Sequence, residues 1–298
     1  MLITISSCPI CSGTIFNNYL ECKDYTASQE NFILTQCNAC QFVFTNPRPD
    51  TESIGQYYLS DKYISHTGGK QNLTDLLYIS VRTIALRWKL KIIKQNSAGK
   101  TILDFGCGTG EFLKLMKNKG WDTHGVEPSS AARATAIKNV GEKIYPDLKE
   151  LNELTFDSIT LWHVLEHVHD LNGVLQNLKL LLKKSGTIFI AVPNFQSDDG
   201  QYYKSYWAGY DVPRHLWHFG KNNMKQVLEN NGLQITNILP MRMDSFYVSL
   251  LSESYKHPNQ WKLIAMTKAF TRGLISNAKA RKKLNYSSLI YIATKCEN

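Results

Sequence analysis

The chain has no apolar run near the roughly 18 residues a membrane-crossing helix needs, so no membrane span is expected. Its first residues, MLITISSCPIC, lack the basic start and long apolar core of a secretory signal. Both absences predict a cytoplasmic setting, where thiols stay reduced and disulfides are disfavoured. There is no internal repeat and no low-complexity segment. Acidic residues are scarce at one end: residues 256–298 carry nine basic groups and one acidic group. Residues 1–50 carry two basic and four acidic groups, so the formal charge of +9 lies mainly in the C-terminal part. A solvated helix face is the usual meaning of such a run; nucleic acid or an anionic surface is the other. At 298 residues the chain can bury one large core and a small one.

The cysteines are grouped. Cys8-Pro9-Ile10-Cys11 and Cys37-Asn38-Ala39-Cys40 are two CxxC units, each able to set two thiolates on one tight turn. Two such turns supply the tetrahedral sulfur cage that Zn²⁺ prefers, with all four positions filled by protein. A structural zinc on Cys8, Cys11, Cys37 and Cys40 is therefore expected within a module spanning residues 1–50. Cys22 is a spare. FTNPRPD closes the module as a stiff connection, and residues 51–98 read as a helical link.

The most informative run is TILDFGCGTGEFLKLMKNKGWDTHGVEPSS. A short apolar strand, 102–105, enters Gly106-Cys107-Gly108-Thr109-Gly110, and an amphipathic helix follows. A second strand, 123–126, ends at Glu127. This is a βαβ unit with glycines at its first turn, where a ligand can approach the backbone without meeting a Cβ. Ligands of open α/β sheets bind outside the carboxyl ends of strands, and Glu127 stands at such an end, able to accept both hydroxyls of a ribose. Dinucleotide sites favour GxGxxG. Here the spacing is GxGxG, with Asp104 before it and Glu111 directly after. Acids around the loop repel a pyrophosphate and suit a cofactor carrying ammonium and sulfonium centres, S-adenosylmethionine (SAM).

LDFGCGTGEF, GVEP, FDSITLWHVLEHV and LLKKSGTIFIAVPN, in that order, resemble the successive motifs of class I SAM-dependent methyltransferases over about residues 100–240. The knuckles resemble those preceding some sugar methyltransferases. The resemblance implies an α/β fold: a doubly wound, seven-stranded, mostly parallel sheet with one reversed strand at the edge, in a domain spanning 99–298. It also implies that Asp104, Gly106 and Gly108 line the methionine part of SAM, with Cys107 and Gly110 in the same loop. Glu127 then holds the ribose, and Asp147 lies near the adenine amino group.

LWHVLEHVHD, residues 161–170, is then the turn from the fourth strand to a helix capped by Asp170 and ending at Ser185-Gly186. His163 is expected in the wall of the cofactor cavity as a candidate general base. His163, Glu166 and His167 also resemble the ExxEH metal ligands of some RNA and quinone-precursor O-methyltransferases, with histidine in place of the first glutamate. After the fifth strand, residues 195–220 hold eight aromatics with Arg214, His215 and His218 among them. This segment is expected to act as an aromatic lid: Tyr206, Trp207 and Arg214 meet the substrate, and His215 is a second candidate base. Residues 245–283 form a helical insertion with a basic end at Lys279, Arg281, Lys282 and Lys283.

The sequence thus predicts a SAM-dependent methyltransferase acting on a small molecule, a sugar nucleotide or other envelope precursor. Two alternatives stay open. One is an RNA methyltransferase using the zinc module and the basic region. The other is a binding protein that keeps the SAM pocket without turnover.

Overall fold

The computed structural model describes residues 1–59, 73–151 and 153–296. The first fifty residues form β1 (Leu2–Ile3), β2 (Phe16–Lys23), β3 (Asn31–Cys37), β4 (Val43–Thr45) and β5 (Arg48–Pro49). Strands β2, β3 and β4 make an antiparallel meander, and β1 pairs with β5. Among the described residues the connection then holds a 3₁₀ turn, Ile54–Tyr58, and α1 (Leu73–Asn96). Residues 60–72 of the expected helical link lie outside the described residues. The last turns of α1 bury Leu90, Ile92 and Ile93 against the sheet.

The larger domain alternates strands and helices. It runs through β6 (Thr101–Phe105), α2 (Glu111–Lys117), β7 (Asp122–Val126), α3 (Ser130–Val140) and β8 (Ile144–Tyr145). It continues with β9 (Phe156–Trp162), α4 (Leu171–Leu181) and β10 (Leu182–Pro193). The strands from β6 to β10 run parallel. Then come α5 (Asp198–Tyr203), β11 (Trp217–His218), α6 (Lys221–Asn230), β12 (Leu233–Pro240), α7 (Asp244–Lys256), α8 (Lys262–Ala280) and β13 (Ser288–Lys295).

The sheet has seven strands in the order β12-β13-β10-β9-β6-β7-β8. The reversed strand was expected at the edge. It is β13, and it lies between β10 and β12, antiparallel to both. Burial explains the place: β13 is covered on both faces from Ser288 to Ala293, whereas β12 alternates with exposed positions and suits the rim. A second difference concerns α4, which stops at Leu181 and not at Ser185-Gly186. Leu182 already pairs with Phe156 of β9, with a bulge before Thr187, and Lys183 reaches the Asp157 carboxylate at 3.0 Å.

Helix starts follow the sequence chemistry. Asp170 caps α4 by accepting from Gly173 N at 2.9 Å, and Ser197 caps α5 by accepting from Gly200 N at 3.1 Å.

The segment between β10 and α6 joins the two units. Its strand β11 pairs with β4 and extends the N-terminal meander to four strands. Phe42 and Trp217 stack across that junction at 5.9 Å. Three asparagines of the larger domain donate to carbonyls of the cysteine knuckles: Asn172 to Pro9, Asn223 to Cys40 and Asn230 to Ile10, at 2.8–2.9 Å. The N-terminal module is thus docked on the sheet domain by backbone pairing and side-chain hydrogen bonds together. Among the described residues no helix is long and apolar enough to cross a membrane.

Candidate functional site

The carboxyl ends of β6, β7 and β9 open on one edge, and the glycine loop crosses it. Gly106 N and Cys107 N both donate to Val126 O, at 2.8 and 3.0 Å, tying the loop to the end of β7. Gly106 and Gly108 have φ of +75° and +55°, the left-handed region that costs a side chain. Their surroundings differ. A Cβ on Gly106 would come within 2.6 Å of Val164, but one on Gly108 would meet nothing within 4 Å. The backbone at Gly108 therefore faces open space that a Cβ would fill. Gly110 N donates to Cys107 O at 3.0 Å and starts α2.

Glu127 follows β7 directly. Its Oε2 accepts from Gly108 N at 2.8 Å and its Oε1 from Ser129 N at 2.9 Å. The carboxylate is thus fixed beside the open glycine, and each oxygen keeps a lone pair. Asp104 is buried at the end of β6 and accepts a 2.6 Å bond from Thr160 Oγ1. Burial pushes its carboxyl up to about 7, against the pull of Thr160 and Lys89. Lys89, from α1, lies with its ammonium 4.2 Å from the Trp162 ring centre. Burial lowers its pKa while Asp104 and Asp244 work to raise it. The Cys107 side chain turns into the core, where a Cβ on Gly125 would press on its sulfur at 2.8 Å, so only its backbone faces the loop's ligand side. Asp147 lies exposed after β8, its Oδ1 accepting from Lys149 N at 2.9 Å.

His163 ends β9 with φ +57° and donates its backbone N–H to Ala191 O at 3.0 Å. Its ring is clamped between two carboxylates: Nδ1 is 3.3 Å from Glu166 and Nε2 is 3.2 Å from Asp244. Burial opposes the charge, but the Asp244 and Glu166 carboxylates outweigh it and push the pKa up to about 9. At neutral pH this imidazole is a cation. It can take up a proton as a base only after one carboxylate lets go.

Behind His163 the structure regroups the residues expected to bind metal. Ligand atoms of Glu166, His167 and His215 lie within 4.8 Å of one another; His163 stands outside that set as the cation facing Glu166. Glu166 is fully buried, and neither of its oxygens has a hydrogen bond of good geometry among the described residues. Each histidine anchors Nδ1 and leaves Nε2. His167 Nδ1 is 3.0 Å from Arg214 O and from Tyr58 Oη, and His215 Nδ1 is 2.9 Å from Gly209 O. Burial, helped by His215, drops the His167 pKa to about 4, so that ring is neutral. One carboxylate and two imidazole rings are a set that can hold a divalent cation.

The aromatic segment is placed differently from the expectation. Trp207 is buried, its Nε1 donating to Asp199 at 2.9 Å. Arg214, only 1% exposed, is held by Asp211, Asp24 and the carbonyl of Tyr57 at 2.7–3.0 Å. Both are interior struts here, because β11 belongs to the N-terminal meander and draws the segment inward. Tyr206 is the exposed member of the expected trio, tilted against Tyr25 at 6.2 Å. Asp244, Lys89 and Thr160 were missed by sequence reasoning. Asp244 had a signal, an acid opening the helix after a strand's carboxyl end. Lys89 and Thr160 had none, since only packing brings them to Asp104.

The four knuckle sulfurs meet as expected. Those of Cys8 and Cys40 are 3.5 Å apart, as are those of Cys11 and Cys37, and all four lie within 4.8 Å. The cluster can hold a metal ion.

A family profile described as a methyltransferase domain matches residues 80–238, more than half of the chain. The chain belongs to the methyltransferase-domain family. Its fold is that of class I SAM-dependent methyltransferases. This methyltransferase is 34% identical over 109 residues to the ubiquinone biosynthesis O-methyltransferase of Haemophilus ducreyi, covering 32% of this chain and 46% of that one. It is 32% identical over 119 residues to the enzyme of the same name from Vibrio cholerae, covering 37% and 49%. The chain thus spans about half the length of the curated relatives it matches. The magnesium protoporphyrin IX methyltransferase of Synechocystis PCC 6803, solved with bound SAH, shares the fold. It has a TM-score of 0.50 at 14% identity, covering 82% of this chain and 99% of that one.

Proposed function

We propose that this methyltransferase moves the methyl group of SAM to a hydroxyl of a small molecule. The observation that carries the reading is the Glu127 carboxylate, fixed by Gly108 N and Ser129 N beside a glycine that opens on empty space. That cradle fits a nucleoside, with Glu127 accepting from ribose hydroxyls and the buried Asp104 on the side of the amino-acid end. Asp147, on the loop after β8, is the group proposed for the adenine amino edge. When bound, SAM supplies an electrophilic methyl on a sulfonium, which needs no further activation.

The protein then positions the acceptor and excludes water. His163, charged between Glu166 and Asp244, orients the acceptor side of the crevice, and His215 offers a lone pair at Nε2 as the proton acceptor. The relatives' names favour an oxygen acceptor. A sugar nucleotide or other envelope precursor is the substrate class proposed within that limit.

The cysteine cluster is proposed to hold Zn²⁺ in a structural role. Four thiolates at about 2.3 Å around one ion stand roughly 3.8 Å apart, close to the spacing found. A second reading is favoured by one observation: the buried Glu166 carboxylate, paired with His163 but without a well-formed hydrogen bond, beside His167 and His215. There a divalent cation would lower the acceptor hydroxyl's pKa.

Calorimetry with SAM and its demethylated product, against NAD, tests the cofactor. Saturation by NAD alone would reject it. Labelled SAM with fractionated extract, with and without ribonuclease, separates small acceptors from RNA.

A further inference from the structure

Helices α7 and α8 form a hairpin outside the residues that match the family profile. Its two helices pack against each other. Gly273 lets Phe246 approach closely, and the Phe246 and Phe270 rings stack at 5.3 Å. Its outer side is apolar to an unusual degree. On α8, Leu263, Met266, Phe270 and Leu274 recur at three and four residues, one stripe of the helix, and all are exposed, Leu263 at 74% and Phe270 at 59%. Met243, just before α7, and Leu250 within it are exposed as well. Trp261, at the turn between the helices, is 81% exposed. An exposed apolar stripe of this kind marks an interaction site.

The charge around it selects the partner. Residues 244–283 contain eight basic side chains and two acids, and two of the eight, Arg272 and Lys279, are paired with Asp198. Neither acid faces outward freely: Glu253 is buried and accepts from Tyr203 Oη at 3.0 Å, and Asp244 is engaged by His163. Lys262 borders the stripe, and Arg281, Lys282 and Lys283 follow its end. An amphipathic face with aromatic and aliphatic side chains, a tryptophan at the corner and uncompensated lysines matches a lipid interface with anionic headgroups. RNA would use the lysines but gain nothing from the stripe, and a second copy would bring the same positive charge against itself.

We infer that the α7–α8 hairpin docks this protein on an anionic membrane surface. Asp244, the first residue of α7, touches His163, so docking sets the mouth of the crevice at the bilayer. Resting on the proposed function, the acceptor is then an amphiphilic envelope precursor presented from the membrane.

The test is vesicle co-sedimentation of the full chain. Phosphatidylcholine vesicles are compared with vesicles containing one third phosphatidylglycerol, at low and high salt, while Trp261 emission is followed. Binding at least ten-fold tighter to the anionic vesicles, with a blue shift lost in Trp261→Phe, is expected. The pair Leu263→Glu and Phe270→Glu, and separately Lys282→Gln with Lys283→Gln, are expected to abolish binding. Both variants should still bind SAM calorimetrically, which shows that they fold. Equal binding to neutral vesicles, no binding to either, or a dimer by light scattering dispersed by the same apolar variants would overturn the inference. So would capture of RNA in place of vesicles. Membrane binding without methyl transfer would leave the docking intact and count against the proposed function alone.

Discussion

Arg214 donates through Nη2 to Asp24 at 3.0 Å, across 190 residues of sequence, and both side chains are buried. The same Nη2 also donates to Asp211 at 2.7 Å, and Nε adds a second bond to that carboxylate at 3.0 Å. The pair joins the N-terminal meander to the segment after β10, so the two units share one electrostatic bolt. Removing one member of a buried ion pair leaves a charge without its partner, at a cost of about 3–5 kcal/mol. Arg214→Ala is therefore expected to lower the urea midpoint by that measure, with Asp24→Asn following in the same direction. The loss should appear without a matching loss of SAM affinity in whatever fraction stays folded.

The same pair sets an acid limit. Burial acts to raise the Asp24 pKa, but the backbone N–H of Ser28 and the Arg214 guanidinium overcome it and hold the carboxyl below its usual range. For Asp211, burial is likewise overcome by Arg214. A carboxylate depressed in the folded state binds fewer protons there than in the unfolded chain. Its stabilisation is thus complete above the unfolded value, near 3.9, and is lost as pH falls through the folded one. Urea midpoints measured from pH 7 to pH 2 should owe no loss to this pair above about pH 4, and below it should drop more steeply in the native chain than in Asp24→Asn.

The knuckle cysteines make a compositional prediction. The purified chain should carry about one zinc per molecule by elemental analysis. Cys37→Ser, removing a fully buried ligand, should lose it. Because Asn172, Asn223 and Asn230 bind the knuckle carbonyls, strong chelation should also loosen α4 and α6, seen as faster amide exchange there. A chain that folds unchanged without metal would reject the structural role.

Gly106 and Gly108 separate folding from binding. Both occupy left-handed backbone, so alanine costs about 1–2 kcal/mol at either site. At Gly106 the methyl also collides with Val164, so Gly106→Ala should lower the melting temperature further. At Gly108 it projects into open space, so Gly108→Ala should weaken SAM binding more than it harms stability. Glu127→Gln tests the ribose contact at the same place, and calorimetric affinity should fall at least ten-fold, since hydrogen bonds to charged groups contribute about 1.5–3 kcal/mol.

The sheet domain was legible because its signals are local. A strand, a glycine turn and a helix with Phe112, Leu113 and Met116 on one face announce β6 and α2 within sixteen residues of sequence, and the structure buries those three side chains. The knuckles were legible for the same reason, two CxxC units at close spacing. Strand β11 was not. Trp217 and His218 read as lid residues because nothing in their neighbourhood reveals that Val43 and Phe44, far back in the chain, are their partners. That one long-range pairing converts Trp207 and Arg214 from expected substrate contacts into buried struts. His163 was placed correctly by its position at the end of a strand, but its charge state depends on Asp244, which arrives from a helix that the motif does not include.

That dependence supplies the most discriminating prediction. Nε2 of His163 and the Asp244 carboxylate are 3.2 Å apart, whereas the Glu127 carboxylate is held by Gly108 N and Ser129 N. Asp244→Asn removes the charge that fixes the ring, and His163→Gln removes the ring while keeping a polar group of similar reach. If His163 orients the acceptor side, both changes should lower kcat by about 10²-fold, the cost of small misplacement near reacting groups. The SAM dissociation constant should move less than three-fold. Glu127→Gln should show the opposite division, with weak SAM binding and a smaller loss at saturation. A purely structural role for the His163–Asp244 contact would instead lower SAM affinity, kcat and melting temperature together. Stopped-flow turnover beside calorimetry on the same three proteins therefore decides whether the end of β9 serves the acceptor or only the fold.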